Sequence, residues 1–183
     1  MSRAPFLLAP LDGAHDRAKF HCDSQPLNRY LREQATQDIR RRVAACFVAL
    51  ADGQRIAGYY TLASASLYLA DLPASTRKKL PRYPTVPAVR MGRLAVDHEF
   101  KGQGLGGALL ADALDRAARS EIAAFALVVD AKDEAAAAFY GHHGFIALPD
   151  SPAANAVPEV AISATGTLDS ISAPSAPSAS CAP

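Results

Sequence analysis

The chain has 183 residues, half of them apolar and a fifth charged, and a formal net charge of +1. That length fits one domain with a self-sufficient core. There is no apolar run near the roughly 20 residues of a membrane helix, and the N-terminal apolar stretch is too short for a signal peptide. The cysteines Cys22, Cys46 and Cys181 form neither a metal-ligand pattern nor a disulfide framework, so a reducing cytoplasm is expected.

In chain order, Phe6-Leu7-Leu8 reads as a short strand. Residues 26–39 carry a helical stripe of Leu27, Tyr30, Leu31, Ala35 and Ile39, with Asp23 or Ser24 as cap and Pro26 near the first turn. Cys46 to Leu50 and Ile56 to Leu62 predict a hairpin turned at Asp52-Gly53. Residues 73–80 form a short basic helix and residues 89–96 a strand. The spacing of Leu105, Leu109, Ala113 and Ala117, with Leu110 and Leu114 beside them, predicts a helix over 104–119. Strand 125–129, helix 132–142 and strand 145–148 follow, and Val160-Ala161-Ile162 adds a weak last strand. From Ser163 the chain is mostly Ser, Ala, Pro, Thr and Gly, a composition that predicts a disordered tail over 163–183 behind a domain spanning 1–162.

Charge is unevenly spread. Residues 1–93 have a balance of +8 and residues 94–183 a balance of −7. Between Arg77 and Arg93 lie Arg77, Lys78, Lys79, Arg82, Arg90 and Arg93 with no acid, and Arg40-Arg41-Arg42 adds a second cluster. Such runs suit a polyanion, although a solvated surface has the same composition.

The chemical motif is Lys101-Gly102-Gln103-Gly104-Leu105-Gly106-Gly107, between a strand and a helix. Glycines admit a close ligand. The unpaired N–H groups of the first helical turn, with the helix dipole, suit a pyrophosphate. No Gly-Lys-Ser/Thr closes a P-loop, and the motif falls too late in the chain for a Rossmann fingerprint.

Gly92-Arg93-Leu94-Ala95-Val96-Asp97, followed by this motif, resembles the acetyl-CoA site of GNAT acetyltransferases, with Lys101 at the position usually held by Gln or Arg. Residues 129–135 and Phe139-Tyr140-Gly141-His142-His143-Gly144-Phe145 are similar to that family's later strand–helix–strand. The resemblance implies an α/β fold whose central, mostly antiparallel sheet is splayed at the acetyl-CoA site and flanked by helices. It implies cofactor contacts at Leu94, Ala95, Val96, Lys101, Gly102, Gln103, Gly104, Leu105, Gly106, Gly107 and Asp133, and no metal. Phe20-His21-Cys22-Asp23, Leu27 to Leu31, Gly58 to Leu62 and Leu80 to Pro84 further resemble the GNAT toxins of toxin–antitoxin modules. That subgroup implies acetylation of the α-amino group of aminoacyl-tRNA, a block of translation, a ribbon-helix-helix antitoxin and a homodimer. Under this reading Arg77, Lys78, Lys79, Arg82, Arg90 and Arg93 contact tRNA.

Acetyl transfer needs a neutral amine, stabilisation of a tetrahedral oxyanion and a proton for the departing thiolate. Backbone N–H groups at Leu94 to Val96 are candidates for the oxyanion, and Tyr140, protonated at neutral pH, for the acid. No base stands out. Asp97, His98 and Glu99 read as surface groups and His142-His143 as an ordinary helix end. An α-amine, with a pKa near 8, needs a base less than a lysine does. Two other functions stay open: a GNAT enzyme for a small amine or a protein N-terminus, and a non-catalytic CoA-binding or antitoxin-binding module.

Overall fold

The computed structural model describes residues 6–148 and 159–164, the last six by backbone alone. Seven strands form one sheet: β1 (Leu7–Pro10), β2 (Ala45–Ala51), β3 (Arg55–Tyr68), β4 (Thr85–Val96), β5 (Ala126–Ala131), β6 (Ile146–Ala147) and β7 (Glu159–Ala164). Their order is β1-β2-β3-β4-β5-β7-β6. Only β4 and β5 pair in parallel, so the sheet is mostly antiparallel, as the resemblance implied.

The helices are α1 (Gln25–Arg29), α2 (Ala35–Arg40), α3 (Ala74–Arg77), α4 (Leu105–Ala118) and α5 (Glu134–His142). On one face of the sheet, the predicted stripe of α4 buries Leu105, Leu109, Leu110, Ala113 and Leu114 against Tyr60, Met91, Leu127 and Val129. The other face takes Leu31 and Ala35 against Val48, Ile56 and Tyr59. Beyond them, Leu72 packs with Leu67, Val86 and Val128. Each apolar helical stripe is thereby removed from water, the main term holding such a layered fold together.

Three expectations change. The helix read over 26–39 is interrupted by a π-helical turn, Tyr30–Gln34, which offsets the helical register and turns consecutive Tyr30 and Leu31 both inward. Ser24 is its N-cap residue. The hairpin partner runs on to Tyr68 rather than ending at Leu62, because β4 starts early enough for Tyr68 to face Thr85. Pro87 is tolerated in β4 because it lies ahead of Ala88, the first residue paired with β5. The last strand, expected over 160–162, spans Glu159–Ala164 and lies between β5 and β6. Pairing is a backbone property, and β5 offers Ala126 to Ala131 as partners, so Ser163 and Ala164 join the sheet instead of beginning a tail. Residues 165–183, with the rest of the expected tail and Cys181, lie outside the described residues.

The feature that positions the site is where β4 leaves its neighbours. Thr61 faces Arg93 and Leu62 faces Met91, so Gly92 is an extra, bulged residue. Pairing of β4 with β5 stops at the adjacent rung, Met91 with Val129, while β4 continues to Val96. The sheet therefore opens into a wedge at Gly92. The bulge also resets side-chain alternation. Arg90 shares a face with Ala88, and Arg93 shares a face with Ala95, both on the side opposite α4.

Candidate active site

Within the wedge, Leu94, Ala95 and Val96 pair with Tyr60, Tyr59 and Gly58 of β3. One backbone edge of β4 is thus used and the other faces the opening. Gly58 allows α4 to press against this segment. A Cβ there would lie 2.8 Å from Leu109 Cδ1 and 3.0 Å from the Ala95 carbonyl oxygen.

The glycine motif divides into two jobs. Gly102 and Gly104 have φ of 71° and 76°, the left-handed region that favours glycine, and a Cβ at either would meet nothing within 4 Å. Gly104 is the N-cap of α4, and the first helical bond runs from Ala108 N–H to the Gly104 carbonyl at 3.0 Å. The N–H groups of Leu105, Gly106 and Gly107 therefore have no intrahelical partner. Donors, helix dipole and open space together fit a pyrophosphate. Gly106 and Gly107 serve the approach of α5 instead. A Cβ on Gly106 would touch the Phe139 ring at 3.5 Å, and one on Gly107 would crowd His143 Cε1 at 3.1 Å. The Leu105 side chain is core, and the Gln103 amide donates to the Glu99 carbonyl at 3.4 Å. Lys101 does not point its ammonium along the loop. It pairs with Asp23 and holds that carboxyl below its usual range.

Asp97, read from the sequence as a surface group, is fully buried. Its N–H donates to the Ala57 carbonyl at 2.8 Å. Its carboxylate accepts the N–H of His21 at 2.8 Å and of Glu99 at 3.0 Å. His98 N–H donates to the His21 carbonyl at 2.9 Å. On its other side the same strap is tied to α1, since the Asn28 amide exchanges hydrogen bonds with the backbone of Cys22 at 2.8 and 2.9 Å. Asp97 thus fastens residues 21–23 to the root of the glycine loop. Nothing in its neighbourhood in the sequence signals this, because its partner is 76 residues away.

Tyr140 is buried on α5, with its ring 5.5 Å from that of Phe145 and 5.3 Å from that of Phe139. Burial, and then the Asp130 carboxylate, push its phenol up to about 12. Among the described residues its hydroxyl has no hydrogen-bond partner, so the proton is held but not committed. Asp133, expected to contact the cofactor, accepts Ala136 N–H at 2.8 Å and is the N-cap of α5. Its carboxylate orients the helix that carries Tyr140. His143 ends α5, and its imidazole pKa is lowered by burial and then by His142, which favours the neutral ring.

The six expected tRNA-contacting cations are not equivalent. Arg77, Lys78, Lys79 and Arg82 are exposed at α3 and the turn behind it, with no ion pair among the described residues. Arg90 is paired with Asp130 at 2.6 Å, across the last rungs before the wedge. Arg93 is half-buried, its guanidinium 3.6 Å from the centroid of the Tyr30 ring. This stack forms one wall of a cavity of about 540 Å³, lined also by Gln25, Leu27, Arg29 and Gln34. The Tyr30 hydroxyl donates to Asp38 at 2.9 Å, which fixes the ring under Arg93. Sequence spacing carries no trace of a pairing between Tyr30 and Arg93. Among the described residues no group of His, Cys, Asp and Glu is arranged to hold a metal, and no helix is long and apolar enough to cross a membrane.

Comparison with known proteins places this geometry. A curated relative from Mycobacterium tuberculosis, described as a tRNA-acetylating toxin, is 38% identical over 144 residues, 78% of this chain and 85% of the relative. The solved structure of AtaT complexed with acetyl-methionyl-tRNAfMet is 27% identical, with a TM-score of 0.81 over 90% of this chain and 97% of that one. AtaTR bound with acetyl-CoA is 26% identical, with a TM-score of 0.75 over 90% and 96%. The model of the acetyltransferase (GNAT) family matches residues 13–145. With the splayed β4–β5 junction, the glycine loop at the head of α4 and the extent of these matches, the chain belongs to the GNAT acetyltransferase family.

Proposed function

We propose that this protein is an N-acetyltransferase that moves an acetyl group from acetyl-CoA to the α-amino group of an aminoacyl-tRNA and thereby blocks translation. The observation that carries this reading is the wedge at Gly92. It combines a free backbone edge with unpaired N–H donors at α4, at the head of an acid-free cationic segment, and α5 carries a protonated phenol that feels the Asp130 carboxylate at the end of β5. The names of the relatives at 38% and 27% identity support the same substrate class.

Acetyl-CoA supplies an activated thioester. The N–H groups of Leu105, Gly106 and Gly107 hold its pyrophosphate, and the free edge of Leu94 to Val96 holds the pantetheine arm and polarises the thioester carbonyl. The neutral amine forms the new C–N bond as the C–S bond breaks. Tyr140 gives its hydroxyl proton to the departing thiolate, and the amine's surplus proton passes through water to restore the phenol. A base is dispensable if the acceptor arrives neutral, and an α-amine with a pKa near 8, lowered further by its ester, does so at physiological pH.

A toxin of this kind works in the cytoplasm and is restrained by an antitoxin, for which a ribbon-helix-helix protein is the expected class, and the enzyme is expected to act as a homodimer. The decisive experiment offers labelled acetyl-CoA and a pool of charged tRNAs to the purified enzyme. Label recovered as N-acetyl-amino acid after mild alkaline release supports the proposal. Label found only on small amines or protein N-termini, with charged tRNA untouched, overturns it.

A further inference from the structure

Two large aromatic side chains sit exposed beside the free cations, and the reaction described above makes no use of them. Tyr68 ends β3 and Tyr83 lies in the turn before β4, each 66% exposed. They are neighbours in space as well. Tyr68 faces Thr85 in the sheet, and Leu69 N–H donates to the Pro84 carbonyl at 3.0 Å, which brings the turn containing Tyr83 against the end of β3. Among the described residues neither ring meets another ring or a cation, and neither hydroxyl has a hydrogen-bond partner.

The cations are oriented by the same segment. The helical turn begun by α3 continues to Leu80, whose N–H donates to the Arg77 carbonyl at 3.2 Å. Leu69, Leu72 and Leu80 face the core cluster under this segment, which leaves Arg77, Lys78 and Lys79 to solvent. No Asp or Glu occurs from residue 72 to residue 96. The result is an end with aromatic faces and four cations that form no ion pair among the described residues, against the single carboxylate of Asp71. That is the combination by which proteins hold unpaired nucleotides, with cations on the phosphates and rings on the bases. A second copy of this chain fits poorly, because a two-fold contact would bring the same cations face to face.

We infer that Tyr68 and Tyr83 form a base-stacking site for unpaired nucleotides of the tRNA acceptor end, with Arg77, Lys78, Lys79 and Arg82 holding the adjoining phosphates. The inference rests on the aminoacyl-tRNA reading and adds where the nucleotides behind the amino acid go. Thr85, the partner of Tyr68, is eight positions before Arg93 along β4, and at about 3.3 Å per residue the rings lie roughly 25 Å from the wedge. With the amine at the wedge, the chain of nucleotides runs back along β4, and the rings take bases several places from the aminoacyl end.

Stacking and phosphate contacts are separable by salt. Phosphate contacts release counterions and set the slope of log affinity against log salt, whereas stacking adds affinity without changing that slope. The test measures KM for charged tRNA between about 50 and 200 mM salt for the wild type, the Tyr68→Ala/Tyr83→Ala double variant, the Tyr68→Phe/Tyr83→Phe double variant, and Lys78→Ala/Lys79→Ala/Arg82→Ala. The alanine double variant should raise KM by roughly 5- to 150-fold for each base that loses its ring. Its salt slope, kcat and acetyl-CoA affinity should match the wild type. The phenylalanine variant, which keeps both rings, should behave as wild type. The triple charge variant should flatten the slope. An unchanged KM in the alanine variant, an equal defect in the phenylalanine variant, or a KM defect that sedimentation traces to altered oligomeric state would each overturn the stacking site. A wild-type enzyme that leaves charged tRNA unacetylated would instead remove the function on which the site rests.

Discussion

Asp97→Asn tests whether one buried carboxylate organises the cofactor loop. The native side chain accepts two backbone N–H groups, from His21 at 2.8 Å and Glu99 at 3.0 Å, in a fully buried position. Asparagine keeps the shape but offers one oxygen, and its amide donors then face one of those N–H groups. A hydrogen bond to a charged group contributes about 1.5–3 kcal/mol, and an unsatisfied buried donor costs about 1–3 kcal/mol. Because the two effects overlap, roughly 2–4 kcal/mol of stability should be lost. For a chain of this size that lowers Tm by about 5–15 °C. Thermal unfolding followed by circular dichroism reads the stability. Calorimetric titration with acetyl-CoA, below the lowered Tm, reads the loop. The affinity should also weaken, because residues 97–101 lead directly into Gly102 and the strap at His21 is their outer support. A Tm within about a degree of wild type would show that neither hydrogen bond contributes as much as about 1.5 kcal/mol, the low end for a bond to a charged group. A large Tm loss with unaltered acetyl-CoA affinity would separate the strap from the loop.

Other substitutions probe different parts of the same argument. Gly58→Ala sets a methyl 2.8 Å from Leu109 Cδ1 and 3.0 Å from a backbone oxygen, and this overpacking should cost about 1–3 kcal/mol in a urea titration; an unchanged midpoint would refute the close approach. Tyr140→Phe removes a hydroxyl without a hydrogen-bond partner among the described residues, so kcat should fall by roughly 10²–10⁴ while Tm and acetyl-CoA affinity hold; wild-type turnover would make the residue a packing group. Since the Tyr140 phenol is pushed up to about 12, the alkaline limb of the wild-type rate profile should not appear near 10, the ordinary value for tyrosine. Burial also raises the pKa of Tyr30, Tyr59 and Tyr60, and of Cys46 to about 12. Each raised group contributes stability that is fully present below its unfolded pKa and is lost as pH rises towards the folded one. Urea stability should therefore be flat between about pH 7 and 8 and then fall, steepening above 10 by about 1.4 kcal/mol per pH unit for each buried phenol; a flat profile from about pH 8 to 11 would contradict the burial of these groups.

The elements that could be read in the sequence are those whose signal is local. The α4 stripe, the Asp52-Gly53 turn with φ of 52° and 82°, and the glycine loop all carry their reasons within a few residues. The interruptions are not local. The π-helical turn at Tyr30 sits in a stretch with a sound helical stripe, and its compensation is a hydroxyl bond to Asp38 and a guanidinium from β4. The length of β3 depends on where β4 begins, and the position of β7 depends on a free edge of β5. Tertiary pairing decides such features, and propensity carries little of it.

The same distinction governs the site. In the sequence the run from Arg77 to Arg93 is six cations without an acid, which suggests six equal contacts. In the fold, the bulge at Gly92 turns Arg90 and Arg93 to one face, where each finds a partner supplied by another element: Asp130 of β5 at 2.6 Å for one, the Tyr30 ring for the other. A guanidinium already paired with a carboxylate adds little net attraction for a phosphate, because a new contact must displace the old one. Within this run, long-range attraction for a polyanion would therefore fall to Arg77, Lys78, Lys79 and Arg82. Arg90 tightens the β4–β5 junction where it opens, and Arg93, stacked in the wall of a cavity beside the wedge, is placed to meet whatever occupies that cavity. A segment uniform in composition thus divides by distance from the wedge, with free charge at the far end and engaged charge beside the chemistry. The salt dependence of activity should accordingly follow the outer four cations, and the inner two should affect turnover through the geometry of the junction and the cavity.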